Sequence, residues 1–279
     1  MKIKAIVVSI KGTKLSKKEK ILLSKHKPWG VILFKRNLKS IMQIKKLTYE
    51  IRKFSNNNNF PIMIDEEGES VSRLNNIINH NISANFFGSL YLKDKKFCLK
   101  ILNHYIFSLS KFLREIGINV NTIPVLDVLR NNTSRIIGKR SFSKNKNIVR
   151  ELGRFTIKYL EKNKILGIIK HIPGHGSATS DSHKRMPNVY LSRQKLDRID
   201  FFPFKSSKAR LAMTAHVLYN KFDSRNVATH SPKIIKDVIR KKLNFKGILI
   251  SDDISMKALK YDLITSARKS IEAGCNLVL

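Results

Sequence analysis

The chain has 279 residues, of which 42% are hydrophobic, so it is long enough and apolar enough to form one large folded core. This composition excludes a fully disordered protein. The 55 lysine and arginine residues outnumber the 20 aspartate and glutamate residues, and the net charge of +35 could attract nucleic acid or an anionic membrane. The lysines are nevertheless scattered over almost every polar segment and form no recognisable nucleic-acid-binding module. We therefore expect a general compositional bias and no specific nucleic-acid partner.

The sequence also indicates a compartment. Cys98 and Cys275 are far apart, which predicts reduced thiols and neither a disulfide framework nor a metal-ligand spacing. The first apolar run is interrupted by Lys11 and Lys14 too early for a signal peptide. Nowhere do about 18 apolar residues follow one another, as a transmembrane helix requires. These features predict a cytoplasmic protein with no membrane partner.

In chain order, short β-branched apolar runs alternate with longer stretches of helical period. Helices are predicted, for example, at 38–54, 97–116, 147–162 and 231–243, the last with Ser231 as its N-cap and Pro232 at its first position. The apolar runs number eight and centre on Ile6, Val31, Ile62, Val120, Ile168, Met213, Leu249 and Leu277. This alternation predicts an α/β fold, a (β/α)8 TIM-type barrel in a single domain over residues 1–279.

The chain stops at Leu279, directly after the eighth apolar run. A barrel of this length would lack its last covering helix, and the uncovered apolar flank would favour self-association.

Polar residues that follow the apolar runs are the candidates for a site, because barrel enzymes react at the carboxyl ends of their strands. Four runs end in such residues, which are Asp65, then Lys170 and His171, then His216, and finally Ser251, Asp252 and Asp253. Any one of them could simply mark the entry to a loop. Together they favour a site.

The segment KHIPGHGSATSDSH, 170–183, resembles the signature of glycoside hydrolase family 3 β-N-acetylhexosaminidases, and the resemblance extends in order over nearly the whole chain. The further segments are GVILFKRN at 30–37, IDEEG at 64–68, PVLDV at 124–128, IGKRSF at 137–142, AMTAHVLY at 212–219, SDDISMKA at 251–258 and AGCNLVL at 273–279. The chain departs from the family pattern at Glu69 and Ser70, where the family commonly has glycine and arginine, and at Lys139, where it usually has an acidic residue.

The resemblance implies a retaining glycosidase. Asp252 would be the nucleophile that forms a covalent glycosyl intermediate, while Asp253 would cap the next turn. His183 would be the acid/base, and Asp181 would hold its ring in one tautomer. The ordinary histidine pKa of about 6.5 suits a group that both donates and accepts a proton.

The family motifs also imply the residues that bind the sugar, namely Asp65, Arg73, Arg140, Lys170 and His171. His175, between Gly174 and Gly176, is expected to shape its loop. His216 could line the pocket or merely satisfy the end of a strand. No phosphate-binding glycine loop, dinucleotide motif or zinc spacing is present, so neither a metal nor an organic cofactor is predicted.

The leading hypothesis is therefore removal of terminal, nonreducing β-N-acetylglucosamine from cell-wall muropeptides, as in bacterial peptidoglycan recycling. One alternative is a family 3 phosphorylase, which would release N-acetylglucosamine 1-phosphate in phosphate buffer. Another is a truncated pseudoenzyme or a basic polyanion-binding protein, which would bind nucleic acid in a salt-sensitive way without cleaving an aryl N-acetylglucosaminide.

Overall fold

A computed structural model describes residues 3–180 and 186–279, which alternate between strands and helices. The strands are β1 (Lys4–Ser9), β2 (Pro28–Leu33), β3 (Ile62–Ile64), β4 (Val120–Asn121), β5 (Leu166–Ile172), β6 (Asn188–Val189), β7 (Leu211–Thr214), β8 (Leu218–Tyr219) and β9 (Ile248–Ile250). The α-helices are α1 (Lys17–Ile21), α2 (Ile41–Ser55), α3 (Ala84–Lys93), α4 (Lys95–Glu115), α5 (Lys146–Lys162), α6 (Arg193–Arg198) and α7 (Leu263–Ala273).

Seven strands form one curled sheet in the order β1-β2-β3-β4-β5-β7-β9, and every pairing in it is parallel. Residues 277 and 278 bridge its two edges, because Leu277 pairs with Ile250 and Val278 pairs with Ile6. The backbone N–H of Val7 donates to the Val278 carbonyl at 2.8 Å. The predicted α/β class with a parallel sheet is confirmed, and all eight predicted apolar runs lie in the sheet or in this bridging segment.

The alternation of side chains along each strand produces two apolar layers. One face of the sheet carries a small buried cluster to which all seven strands and the bridging segment contribute, namely Val7, Ile32, Met63, Val120, Ile168, Leu211, Met213, Ile250 and Leu277. The opposite face belongs to a much larger buried cluster, which includes, for example, Ile64 and Leu249 of the strands and Leu102 and Leu152 of the helices. The rigid strands between these layers fix the positions of the residues at their ends.

Side chains cap the starts of three helices, and the cap predicted at Ser231 is confirmed. Ser40 and Asn145 accept backbone hydrogen bonds at the starts of α2 and α5, and Ser231 accepts one from Ile234 at 3.1 Å. The helix predicted at 231–243 is a π-helix over Ile234–Lys242, and its apolar residues are still buried. A hydrophobic pattern over so few turns does not distinguish this wider helix from an α-helix.

The outer edge of β1 is partly uncovered. Ile3 is 65% exposed and Ile6 is 39% exposed, although their neighbour Val7 is buried. The expectation of a missing last helix stays a prediction, and so does self-association. Within the described ranges, no helix is both long and apolar enough to cross a membrane.

Candidate active site

A cavity of about 460 Å³ opens at the carboxyl ends of the strands. All five residues predicted to bind the sugar line it, and so do the predicted nucleophile and its neighbour; they are Asp65, Arg73, Arg140, Lys170, His171, Asp252 and Asp253. They come from the segments after β3, β4 and β9 and from β5 itself. The geometry therefore brings together residues that are up to 188 positions apart in the sequence.

Lys170 lies at the centre of a hydrogen-bonded network in the floor of this cavity. Its ammonium group is almost fully buried and donates to Glu67 at 2.6 Å, to Thr122 at 2.7 Å and to Asp65 at 3.3 Å. The Thr122 hydroxyl donates a further short hydrogen bond to Asp65. All three ammonium protons have acceptors, which is the condition for burying a charged lysine.

Two arginines complete this network. Arg140 makes a two-pronged contact with Glu67, at 2.7 Å from Nε and 2.9 Å from Nη2, and Arg73 donates to Asp65 at 3.0 Å. Burial alone would raise the pKa of Glu67, but Arg140 and Lys170 outweigh it and lower the pKa to about 2. For Asp65, burial is likewise outweighed by Lys170 and Arg73, so its pKa lies far below its ordinary value. Both carboxyl groups are ionised at neutral pH.

His171 is oriented by a buried carboxylate, Asp127. Asp127 Oδ2 lies 2.7 Å from His171 Nδ1, and Asp127 Oδ1 accepts the backbone N–H of His175 at 2.5 Å. Burial would raise the pKa of Asp127, but His171 and His175 lower it overall. Because an ionised carboxylate can only accept, Nδ1 of His171 carries the proton. The other nitrogen, Nε2, faces Arg140 at 3.5 Å and Asp252 at 4.0 Å.

Asp252 is presented to the cavity by the end of β9. Its Oδ1 accepts the backbone N–H of Asp253 at 2.9 Å, which leaves Oδ2 directed towards His171. Asp253 caps the next turn, since its Oδ1 accepts both the backbone N–H and the hydroxyl of Ser255. The expectation that Asp253 caps this turn agrees with these contacts.

His216 supports the loop that carries Asp252 and Asp253. Its Nε2 lies 3.0 Å from the Asp253 carbonyl and its Nδ1 lies 2.7 Å from the Thr229 hydroxyl. Burial lowers the pKa of His216, so the ring is neutral, and Nε2 must carry the proton because a carbonyl only accepts. His216 is buried and does not line the cavity, so it serves the strand end.

His175 lies on a tightly packed loop. Gly174 has φ +141°, and a Cβ on Gly176 would come within 2.0 Å of the Val128 carbonyl oxygen. Both glycines are therefore required by the backbone, as the sequence indicated. His175 is only 3% exposed, neither ring nitrogen has a hydrogen-bond partner among residues 3–180 and 186–279, and burial lowers its pKa to about 4. The neutral ring lines the cavity in addition to shaping the loop.

The predicted acid/base pair, Asp181 and His183, lies outside the described residues. The two departures from the family pattern, in contrast, are described and contact each other. Lys139 forms a salt bridge with Glu69 beside the cavity. Lys139 stands where the family usually has an acidic residue, and Glu69 stands where it commonly has glycine. The added positive charge is thus paired with an added carboxylate.

Sequence reasoning missed three residues of the network, namely Glu67, Thr122 and Asp127. Glu67 belongs to the IDEEG segment, in which only Asp65 was selected. Alternation of side chains could have identified it, because Glu66 points the other way, to His80 at 2.6 Å. Asp127 lies in the PVLDV segment and could have been suspected as a carboxylate that directly follows apolar residues.

The cavity can bind a neutral, hydroxyl-rich ligand and stabilise positive charge. Among residues 3–180 and 186–279, four carboxylates line it (Asp65, Glu67, Asp252 and Asp253) against three Arg and Lys side chains (Arg73, Arg140 and Lys170), so these charges sum to 3 − 4 = −1. In the described part of the chain, no group of three or more His, Cys, Asp or Glu side chains is arranged to hold a metal ion.

Comparison with known proteins identifies relatives for the whole chain. The family model for the glycosyl hydrolase family 3 N-terminal domain matches residues 1–279. A β-hexosaminidase of Neisseria meningitidis is 34% identical over 280 residues, covering 98% of this chain and 77% of that protein. β-Hexosaminidase A of Pseudoalteromonas piscicida is 30% identical and covers 92% of this chain.

Solved structures agree with these relatives. NagZ from Neisseria gonorrhoeae, in complex with N-trifluoroacetyl-D-glucosamine, superposes with a TM-score of 0.90 at 31% identity and covers 99% of this chain and 81% of that chain. A family 3 β-N-acetylglucosaminidase from Paenibacillus has a TM-score of 0.89 at 28% identity. The chain spans about half the length of two relatives, 46% of the Pseudoalteromonas protein and 53% of the Paenibacillus protein. The predicted family is confirmed, and these relatives are glycosidases of the β-hexosaminidase type, which is the predicted class of enzyme.

Proposed function

Because the chain belongs to glycosyl hydrolase family 3, we propose that it removes terminal, nonreducing β-linked N-acetylglucosamine with retention of configuration. The observation that carries the proposal is the carboxylate of Asp252, which lies in a cavity lined by Asp65, Lys170 and His171. A cavity of about 460 Å³ falls within the range of small-molecule sites.

The first chemical step is attack on the anomeric carbon. Asp252 Oδ2 forms the new bond to this carbon while the bond to the leaving oxygen breaks, which gives a covalent glycosyl–Asp252 intermediate. Oδ1 is held by the backbone N–H of Asp253, so the carboxylate cannot rotate freely. The excess of carboxylates among the described lining residues favours the oxocarbenium-like transition states on either side of the intermediate.

The second group is His183, assisted by Asp181. His183 would protonate the leaving oxygen in the first step and take a proton from water in the second, and Asp181 would keep its ring in the required tautomer. This assignment rests on the Asp-Ser-His triplet of the sequence.

The sugar hydroxyls and the acetamido group would be bound by Asp65, Arg73, Arg140, Lys170 and His171. Lys170 and Arg140 are already held rigidly by Glu67, so little side-chain entropy is lost when a sugar binds. We propose that the natural substrates are muropeptide fragments in the cytoplasm, as in cell-wall recycling. Their carboxylates would be attracted by the charge of +35.

Asp252→Asn tests the nucleophile, with Asp253→Asn as the matched control. An amide cannot act as the anionic nucleophile, so Asp252→Asn should lose nearly all hydrolysis of an aryl N-acetyl-β-glucosaminide, whereas Asp253→Asn should retain most of it. A 2-fluoro or 5-fluoro sugar that traps the intermediate should label Asp252. Labelling of Asp253, or hydrolysis by Asp252→Asn near the wild-type rate, would overturn the assignment.

Product analysis separates hydrolysis from phosphorolysis. In phosphate buffer we expect free N-acetylglucosamine as the product. Release of N-acetylglucosamine 1-phosphate would show that phosphate replaces water as the acceptor.

A further inference from the structure

A ridge of five basic residues crosses the outer face of α5. Its members, Lys146, Arg150, Arg154, Lys158 and Lys162, each follow the previous one by four residues. Side chains at this spacing are neighbours on a helix and form one of its oblique surface ridges. With a rise of 1.5 Å per residue, the ridge extends about 24 Å along the helix axis.

The ridge is accessible along its length and anchored at one end. Arg154, Lys158 and Lys162 are exposed, while Lys146 and Arg150 are half-buried. The latter two cations lie over the ring of Phe202, at 4.6 and 4.8 Å from its centroid. These contacts hold the first two charges of the ridge in place.

Adjacent cations on this ridge repel one another. Like charges four residues apart destabilise a helix, and the ridge contains four such pairs. Burial and the charge of Arg154 both lower the pKa of Arg150. The acidic residues of α5 give little relief, because Glu151 is bound to Lys95 at 2.7 Å and Glu161 makes no salt bridge among the described residues. An anionic ligand along the ridge would remove this repulsion.

The shape of the surface indicates which anion. The helix is flanked by α4 and by the turn Phe202–Phe204, so it cannot insert into a duplex groove, and its exposed cations are available to the phosphates of a backbone. Its aromatic residues Phe155 and Tyr159 are half-buried and stacked on each other, which leaves no exposed large apolar side chain on α5 to insert into a membrane. A strand with duplex-like stacking carries one charge per about 3.4 Å, so up to about seven phosphates would run along the ridge.

We propose that this ridge binds the sugar-phosphate backbone of a single nucleic-acid strand, independently of base sequence. This inference goes beyond the glycosidase activity and does not rest on it. The rest of the +35 surface would contribute attraction at long range, whereas the ridge would supply the direct contacts.

The experiment measures binding of a fluorescent oligothymidylate of about 20 nucleotides by the full chain at several salt concentrations. Five phosphate contacts predict a slope of log K against log salt of about −3.5, at about −0.7 per contact. The variant R154Q/K158Q/K162Q should bind more weakly, with a slope near −1.4. The control K39Q/K46Q/K53Q removes three exposed lysines from the segment 39–53 and should keep a slope near the wild-type value. R154K should also retain it, because the charge is preserved.

A thermal melt is measured for every variant, to show that each is folded. Equal losses of binding in the two triple variants would show a general field rather than a ridge, and would overturn the proposal. It would also be overturned if the α5 triple variant lost binding to phosphatidylglycerol vesicles but kept its affinity for the oligonucleotide, since the ridge would then serve a membrane. Failure of the wild type to bind the oligonucleotide would reject it outright.

Discussion

Asp127→Asn should lower kcat/KM by one to two orders of magnitude without unfolding the protein. Asp127 is fully buried, and its two oxygens accept hydrogen bonds from His171 Nδ1 at 2.7 Å and from the backbone of His175 at 2.5 Å. Asparagine has the same shape, but its Nδ2 cannot accept. If its oxygen keeps the contact with His175, its amide group faces His171. The imidazole must then move its proton to Nε2, which presents an N–H to the cavity in place of a lone pair.

The magnitude follows from the contact that is lost. A hydrogen bond to a charged partner is worth about 1.5–3 kcal/mol, and each 1.4 kcal/mol of transition-state stabilisation changes the rate about tenfold. The expected loss is therefore about 10- to 150-fold if His171 contacts the sugar in the transition state. The loss should appear with natural substrates and with aryl glycosides alike, because His171 does not protonate the leaving group.

The assay is hydrolysis of 4-nitrophenyl N-acetyl-β-D-glucosaminide, together with a thermal melt of each variant. Asp223→Asn is the matched control. Asp223 also accepts two backbone hydrogen bonds and one from a hydroxyl, that of Ser231, but it does not line the cavity. This control should lose some stability and keep its kcat/KM. A loss of less than about threefold in Asp127→Asn, which is under about 0.7 kcal/mol, would refute the reasoning.

Three further predictions follow from the structure. The pKa of Glu67 falls from its ordinary 4.5 to about 2 on folding, so its contribution to the free energy of unfolding is complete above pH 4.5 and is lost as the pH falls towards 2. Urea unfolding at several pH values should show this decline, and the decline should be smaller in Glu67→Gln. His175→Phe removes two unpartnered ring nitrogens, so its melting temperature should stay equal or rise while KM increases; a lower melting temperature with unchanged KM would indicate a purely structural histidine. The exposed Ile3 and Ile6 should promote self-association, and sedimentation of the wild type as a monomer, no different from Ile6→Lys, would contradict this.

Much of the fold could be predicted from sequence because the information is local. Helix α5 was predicted at 147–162 and lies at Lys146–Lys162, since its apolar period and its Asn145 cap are both visible in the sequence. The strands around Ile62 and Leu249 were predicted from apolar runs that are buried on both faces of a parallel sheet. Strands β6 and β8 have only two residues each and show no such apolar run. Their register, Asn188 with Leu218 and Val189 with Tyr219, is set by the surrounding loops.

The site was less predictable because its contacts are between distant residues. Asp65, Lys170 and His171 could be selected because they follow apolar runs and match family motifs. Their mutual contacts could not be predicted, since Lys170 is 105 residues from Asp65 and 48 from Thr122, and only the curvature of the sheet brings them together. Asp127 could be suspected because it follows apolar residues, but no local pattern distinguishes a buried orienting carboxylate from a loop residue.

The contrast between the cationic surface and the acidic cavity has a consequence for salt dependence. The surface charges act on substrates that approach from solvent, and salt screens them beyond about 8 Å at physiological ionic strength. Within the cavity, Lys170 is 3% exposed and contacts its carboxylate partner Glu67 directly, so added salt hardly weakens these pairs. Raising the salt concentration should therefore increase KM for an anionic muropeptide while kcat stays constant. For a neutral aryl glycoside, both constants should be nearly unaffected. A kcat that falls with salt for the neutral substrate would show that surface charge reaches the reacting atoms, and that the buried pairs do not dominate the field in the cavity.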